Sequence, residues 1–251
     1  MALRDNSDRS WEIWGEEDPY YGVLSDPMFR RDNLTEERRR QFFDTGVAHL
    51  AHLEALITRH FGGFAHRRAA LDFGSGVGRV AIPLARTFDR VVGVDVSAAM
   101  RAEAERNCAA FRISNVRFLP SDDRLSAVTG RFDFIHSAIV LQHIPAERGA
   151  AIVSRLLQLL QPEGVIVLHF HYRRDIGAAH RAIGWLRRNF APVHWAANVI
   201  QGRSWREPMM QMNVYEMGRI LGLMQQRGIT EAVTLLGAHH SAFLLARAPA
   251  D

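Results

Sequence analysis

The sequence of 251 residues contains a single cysteine, Cys108. An internal disulfide is therefore excluded, and with it any small fold stapled by disulfides. No apolar run approaches the ~20 residues that cross a bilayer, and residues 1–5 lack the apolar core of a signal peptide. We therefore expect a cytoplasmic protein with no membrane partner.

Strong charge is also missing. The formal net charge is only +4, and the arginines are scattered through helix-like segments instead of forming one basic face. The densest run, residues 38–40, follows two glutamates and is typical of a solvated helix face. Nucleic acid is thus an unfavoured partner, whereas a small anionic substrate is compatible with the charge. An apolar content of 47% indicates a globular chain with one large domain, or one domain with a cap.

A glycine-rich segment is the most informative feature that is present. An apolar run ends in Asp72, and glycines follow at the alternate positions Gly74, Gly76 and Gly78. This pattern predicts a strand, a tight turn and a helix N-terminus, where a ligand can lie against the backbone. A dinucleotide fingerprint, G-x-G-x-x-G, would need its third glycine at the position of Arg79.

Strands and helices alternate after this segment. The sequence predicts parallel strands at 68–73, 90–95, 115–119, 132–137 and 165–170, with helices at 77–87, 97–111 and 146–160. A helix over 35–60, with Thr35 as N-cap, precedes them. Near the C-terminus the sequence predicts a helix at 213–227. Two apolar runs follow it, 229–236 and 241–246, and they are predicted to form an antiparallel pair of strands at the end of the sheet. The predicted fold is α/β: a doubly wound, mostly parallel seven-stranded sheet with an antiparallel C-terminal strand.

The D-x-G-x-G-x-G pattern, in this order of elements, resembles motif I of the class I S-adenosylmethionine (SAM)-dependent methyltransferases, and the resemblance covers about residues 68–247. It implies SAM as cofactor and S-adenosylhomocysteine (SAH) as product. The glycines would hold the methionyl part of SAM, Asp72 its ammonium group and Asp95 its ribose hydroxyls. Further expected cofactor contacts are Val96, Met100, Asp122, Asp123, Ser137 and Ala138. The adenine amino group is assigned to Asp122, which aligns best by its distance from the third strand, with Asp123 as the next choice.

The resemblance also divides the chain. Residues 1–67 would form an N-terminal lid and helix, 68–171 the SAM-binding core, 172–212 an inserted substrate cap, and 213–251 the final helix and strand pair. Trp14, Tyr20 and Tyr21 are lid candidates. Three tryptophans of the insert either line the acceptor pocket or build the cap's own small core: Trp185, Trp195 and Trp205.

Three histidines are the candidate catalytic residues. His143 follows the fourth strand, in a loop that resembles the family's post-strand segment, and it either packs there or acts as a general base near neutral pH. His169 and His171 lie on one side of the fifth strand. Two histidines at this spacing could chelate a metal, but no acid or cysteine completes a ligand set, and no metal is expected.

Methyl transfer to oxygen or nitrogen of a small-molecule acceptor is the leading hypothesis. An Asn-Pro-Pro-Tyr-like motif, frequent in family members that methylate nucleobases, is missing after the fourth strand. Two alternatives remain: a nicotinamide oxidoreductase on a related fold, and a SAM-fold protein without catalysis. The acceptor, the methylated atom and the oligomeric state do not follow from the sequence.

Overall fold

The computed structural model describes residues 7–175, 177, 183–187 and 190–250. Its centre is a seven-stranded sheet in the order β3-β2-β1-β4-β5-β7-β6. Strands β1 to β5 are mutually parallel, and β7 is antiparallel to both of its neighbours. The strands are β1 (Ala69–Phe73), β2 (Arg90–Asp95), β3 (Val116–Pro120), β4 (Phe132–Ser137), β5 (Leu160–His171), β6 (Ala232–Leu236) and β7 (Ser241–Arg247). The predicted fold class is confirmed.

The sheet is buried on both faces, which explains the near-continuous apolar strands. Alternate residues of β1 go to opposite sides: Leu71 packs in the cluster on one face, and Ala70 in the cluster on the other. β5 divides in the same way, with Ile166 on the first face and Val165 on the second. This alternation leaves only the ends of the strands open to a ligand.

The helices are α1 (Ser7–Glu17), α2 (Pro19–Val23), α3 (Glu36–Phe61), α4 (Ala81–Leu84), α5 (Ala98–Ala110), α6 (Ala146–Gln158), α7 (Ala191–Ile200) and α8 (Met217–Gln225). Two predicted N-caps are present. The Thr35 hydroxyl accepts from the Arg38 amide at 3.2 Å, and the Ser97 hydroxyl accepts from the Met100 amide at 3.1 Å. None of the helices in the described residues is long and apolar enough to cross a membrane.

Three predicted elements have boundaries that are wrong by four residues or more. The helix expected over 213–227 begins only at Met217. The helix expected over 77–87 is the single turn α4, because Gly76 and Gly78 have φ angles of 51° and 88°, which a right-handed helix does not allow. The fifth strand begins at Leu160 instead of residue 165. Its first residues pair with Phe132 before a register shift opposite β4.

The N-terminal helices pack on the core. The Tyr20 hydroxyl donates to Glu103 at 2.6 Å and lies 2.9 Å from Oδ1 of Asn107, and both of these residues are on α5. The Glu12 carboxylate accepts from the Ala98 amide at 2.7 Å, at the N-terminus of α5, where a negative charge is stabilising. Trp14 is buried at 3% exposure. Residues 7–23 therefore cover the region where β2 passes into α5.

Candidate active site

A cleft lies at the carboxyl ends of β1, β2 and β4 and encloses about 940 Å³ of empty space, part of it open to solvent. The strand order reverses between β1 and β4, and open α/β sheets bind ligands at such a switch point. Predicted residues that line the cleft are Asp72, Gly74, Gly76, Asp95, Val96, Met100, Asp123, Ala138 and His143. The sequence-predicted residues Gly78, Asp122, Ser137, His169 and His171 lie outside this lining.

The glycine loop needs its glycines for two reasons. Gly74 and Gly76 have positive φ angles of 75° and 51°, which other residues rarely adopt. In addition, a Cβ on Gly74 would overlap the side chain of Val140, and one on Gly76 would lie 2.6 Å from Cγ2 of Val23. The loop is thus packed between the segment after β4 and the end of α2.

Asp95 ends β2 with its carboxylate held by the loop. One oxygen accepts from the Gly76 amide at 2.8 Å and the other from the Ser97 amide at 2.9 Å. Burial raises the pKa of Asp95 to about 6, against the opposing effect of these two hydrogen bonds. Each oxygen retains a lone pair, so that the carboxylate can still accept two hydroxyl groups.

Asp72 belongs to a buried chain of polar groups that the sequence analysis missed. Its Oδ1 lies 2.8 Å from Nδ1 of His136, and Nε2 of His136 lies 3.0 Å from Nε2 of His49 on α3. Asp72 and His136 are register partners in β1 and β4. Pairing the two predicted strands in parallel was the signal that could have found His136, whereas nothing local indicated His49.

The two acids after β3 differ in role. Oδ1 of Asp122 accepts the amides of Arg124 and Ser126, both at 2.9 Å, and these bonds lower the pKa of the Asp122 carboxyl. Asp122 therefore stabilises a turn. Asp123 lines the cleft and forms an ion pair with Arg148, so it is the acid available at this end.

Of the three candidate histidines, His143 lines the cleft, whereas His169 and His171 lie outside its lining. Nδ1 of His143 donates to the Gln211 carbonyl at 2.6 Å, which leaves Nε2 as an acceptor beside the Gln142 amide, 3.3 Å away. Burial lowers the pKa of both His143 and His169 to about 4. Nδ1 of His169 accepts from the Ile139 amide at 3.3 Å. His171 lies outside the main cleft, although its ring centroid is 5.8 Å from that of His169.

A second, open cavity lies where His171 ends β5, with about 740 Å³ of empty space, part of it open to solvent. Arg174 lines it, together with two histidines that both have positive φ angles, His239 at 55° and His240 at 57°. Asp175 bonds to His240 at 2.8 Å in its wall. Across the described part of the chain, no group of three or more His, Cys, Asp or Glu could hold a metal ion.

Comparison with known proteins supports this geometry. Residues 70–164 match the family model of the methyltransferase domain. The magnesium-protoporphyrin O-methyltransferase of Synechocystis is 33% identical over 90 residues, which are 35% of this chain and 38% of that protein. The ubiquinone biosynthesis O-methyltransferase of Acinetobacter baylyi is 26% identical over 110 residues, or 43% of this chain and 45% of that protein. The matches thus cover less than half of these curated relatives.

Solved structures agree over the whole fold. The crystal structure of the Synechocystis magnesium protoporphyrin IX methyltransferase with bound SAH has a TM-score of 0.60 at 19% identity, covering 96% of this chain and 97% of that one. The N-methyltransferase NodS of Bradyrhizobium japonicum with SAH has a TM-score of 0.56 at 18% identity, covering 98% and 100%. The fold is that of the class I SAM-dependent methyltransferases, and the match over residues 70–164 is to a methyltransferase domain. Both conclusions confirm the resemblance found in the sequence.

Proposed function

We propose that the protein transfers the methyl group of SAM to oxygen or nitrogen of a small-molecule acceptor. The observation that carries this proposal is the meeting of Asp72, Gly74, Gly76 and Asp95 in one cleft, at the switch point of the sheet. These residues come from the carboxyl ends of β1 and β2 and from the glycine loop that follows β1. The matched methyltransferase domain contains all four.

The cleft suits SAM chemically. Gly74 and Gly76 put no side chain over the backbone of the loop, and a ligand can therefore approach its amide groups closely. Asp95 accepts the two ribose hydroxyls, Val96 and Met100 contact the nucleoside, and Asp123 lies within reach of the adenine. Bound SAM supplies an electrophilic methyl group beside its sulfonium. The residues of this chain orient that group toward the acceptor, and positioning alone can lower a barrier by as much as ~7–11 kcal/mol.

The histidines favour an acceptor that needs no proton removal. Nδ1 of His143 donates to the Gln211 carbonyl, so Nε2 is an acceptor, 3.3 Å from the Gln142 amide, but a pKa of about 4 makes His143 a weak base at neutral pH. His169 is equally weak. A carboxylate oxygen or an uncharged amine carries its lone pair already at pH 7. We therefore propose that His143 only orients the acceptor molecule, through a hydrogen bond that its Nε2 accepts from an N–H or O–H group of that molecule.

Charge favours an anionic acceptor. Residues 172–212 contain seven arginines and two acids, a net charge of +5, which leaves −1 for the rest of the chain. Arg174 of this region lines the second cavity together with His171, the last residue of the strand that also carries His169. In the same region, the rings of Trp195 and Trp205 pack edge to face, 5.5 Å apart. We propose residues 172–212 as the acceptor cap, in keeping with relatives named for porphyrin and quinone-precursor methylation.

The test uses SAM with a labelled methyl group and a small-molecule metabolite extract. We expect label to enter the small-molecule fraction with the wild-type protein and with Asp89→Asn, an exposed acid at the opposite end of β2. Asp95→Asn should abolish the transfer. Label on macromolecules, or equal transfer by Asp95→Asn and wild type, would refute the proposal.

A further inference from the structure

Two arginines line the described cleft, Arg79 and Arg148. Arg148 is fully engaged: it forms ion pairs with Asp8, at 2.8 Å, and with Asp123. Arg79 is different, because none of the carboxylates in the described residues lies within 4 Å of its guanidinium. Its hydrogen bond goes to the Thr45 hydroxyl at 3.4 Å, which is a long contact.

Arg79 is nevertheless buried, at 7% exposure. Burial of a cation is costly without a charged partner, and an arginine in a protein does not escape the cost by losing its proton. A guanidinium offers five N–H donors in a fork that matches a carboxylate. Within the residues that the structure describes, most of the N–H donors of Arg79 have no acceptor, and Arg79 lies in the wall of the cleft.

Asp72 lies near enough to Arg79 to interact with its charge, without forming an ion pair. It is also buried, at 3% exposure, and His136 bonds only its Oδ1, so Oδ2 remains available. The same end of the cleft thus presents a buried anion and a buried cation that do not satisfy each other. That arrangement is complementary to a zwitterion, whose ammonium would go to Asp72 and whose carboxylate would go to Arg79.

We propose that Arg79 binds the α-carboxylate of the methionyl part of SAM and SAH, and that it thereby selects the amino-acid end of the cofactor. This inference rests on the proposed function, since it assumes that the cleft binds SAM. The inference assigns a cofactor-binding function to Arg79, which stands at the position where a dinucleotide fingerprint has its third glycine. Arg79 is then a binding residue for the cofactor, together with Asp72.

The test compares two ligands by isothermal titration calorimetry. SAH carries the amino-acid group, and 5′-methylthioadenosine lacks it while keeping the nucleoside and the sulfur. For Arg79→Met we expect SAH to bind roughly 10- to 100-fold more weakly, the loss typical of a hydrogen-bonded charged group. The affinity for 5′-methylthioadenosine should stay within about twofold, and Arg86→Met, an exposed arginine seven residues further along, should change neither affinity.

Three outcomes overturn the inference or its basis separately. If Arg79→Met loses affinity equally for both ligands, Arg79 only supports the fold. If the affinity for SAH is unchanged, Arg79 does not contact the carboxylate. Failure of the wild type to bind either ligand refutes the proposed function itself. If Arg79→Met does not fold, Arg79→Lys and a titration of the wild type with decarboxylated SAH replace it. The wild type should then bind decarboxylated SAH at least tenfold more weakly than SAH.

Discussion

The two ends of the cleft use an arginine in opposite ways. At the proposed adenosyl end, Arg148 joins Asp8 of the N-terminal helix to Asp123 of the loop after β3. At the proposed methionyl end, Arg79 is more deeply buried but has no carboxylate partner within 4 Å in the described residues. The protein thus satisfies the first arginine internally and leaves the second to the ligand.

We therefore assign a structural function to the charge of Arg148 and a ligand-binding function to the charge of Arg79. The pairs of Arg148 fasten α1 over the cleft, beside the contact of Glu12 with the start of α5. The methionyl end has a rigid polar support in the chain from Asp72 through His136 to His49, and its cation remains open. Substitutions at the two ends should therefore differ in which ligands they affect.

The largest effect should follow Asp95→Asn. The substitution removes the charge that accepts the ribose hydroxyls, which SAH and 5′-methylthioadenosine share. Both ligands should bind about 100-fold more weakly, given the strength of hydrogen bonds to charged groups. Calorimetry of both ligands measures this, with Asp89→Asn as control. A loss confined to SAH would place the ribose elsewhere.

Asp72→Asn should act on one ligand only. It removes the negative charge that faces the ammonium group, and we expect SAH binding to weaken about 10- to 30-fold. Binding of 5′-methylthioadenosine should be unaffected, provided that the amide keeps the hydrogen bond to His136. The same titrations test this, and thermal unfolding checks that the variant is folded. Equal weakening of both ligands would argue against an amino-acid subsite here.

Binding should also depend on pH through Asp95. Burial raises the pKa of this carboxyl to about 6 in the free protein, and the ribose hydroxyls need its ionised form. Affinity for 5′-methylthioadenosine should be constant above pH 7 and fall as the pH drops through 6, by about tenfold between pH 7 and pH 5. Asp95→Asn should abolish this dependence. Persistence of the same pH dependence in that variant would assign it to another group.

Arg148→Met should have the smallest effect. The pairs of Arg148 are partly exposed, and such pairs contribute about 0–1 kcal/mol. Affinities for SAH and for 5′-methylthioadenosine should therefore fall by at most about fivefold, and by the same factor for both. A selective loss of SAH would contradict the division between the two arginines.

The sequence predicted those parts of the structure that depend on residues close together in the chain. Apolar runs located the seven strands, the hydroxyls of Thr35 and Ser97 marked helix starts, and the glycine spacing located the ligand loop. The chain from Asp72 to His49 was not predictable, because it depends on the register of two strands and on where α3 packs. The partners of Arg148, and hence which arginine stays open, likewise depend on tertiary contacts between distant segments.

Prediction was least complete around the acceptor. Asp122 and Asp123 are adjacent and chemically alike, and only the turn geometry shows that Asp122 bonds backbone amides while Asp123 lines the cleft. His143 followed from its position after β4. Its low pKa depends on burial, which outweighs the opposing effect of the hydrogen bond to Gln211. Residues far away in the sequence pack against it, such as Trp11, whose ring centroid is 5.0 Å from that of His143, and so the weak basicity could not be predicted.

The most direct test is a parallel calorimetric titration of the wild-type protein with SAH and with NAD⁺. We expect saturable binding of SAH at one site per chain, about 100-fold weaker in Asp95→Asn, and no binding of NAD⁺. Binding of NAD⁺ without binding of SAH would contradict it.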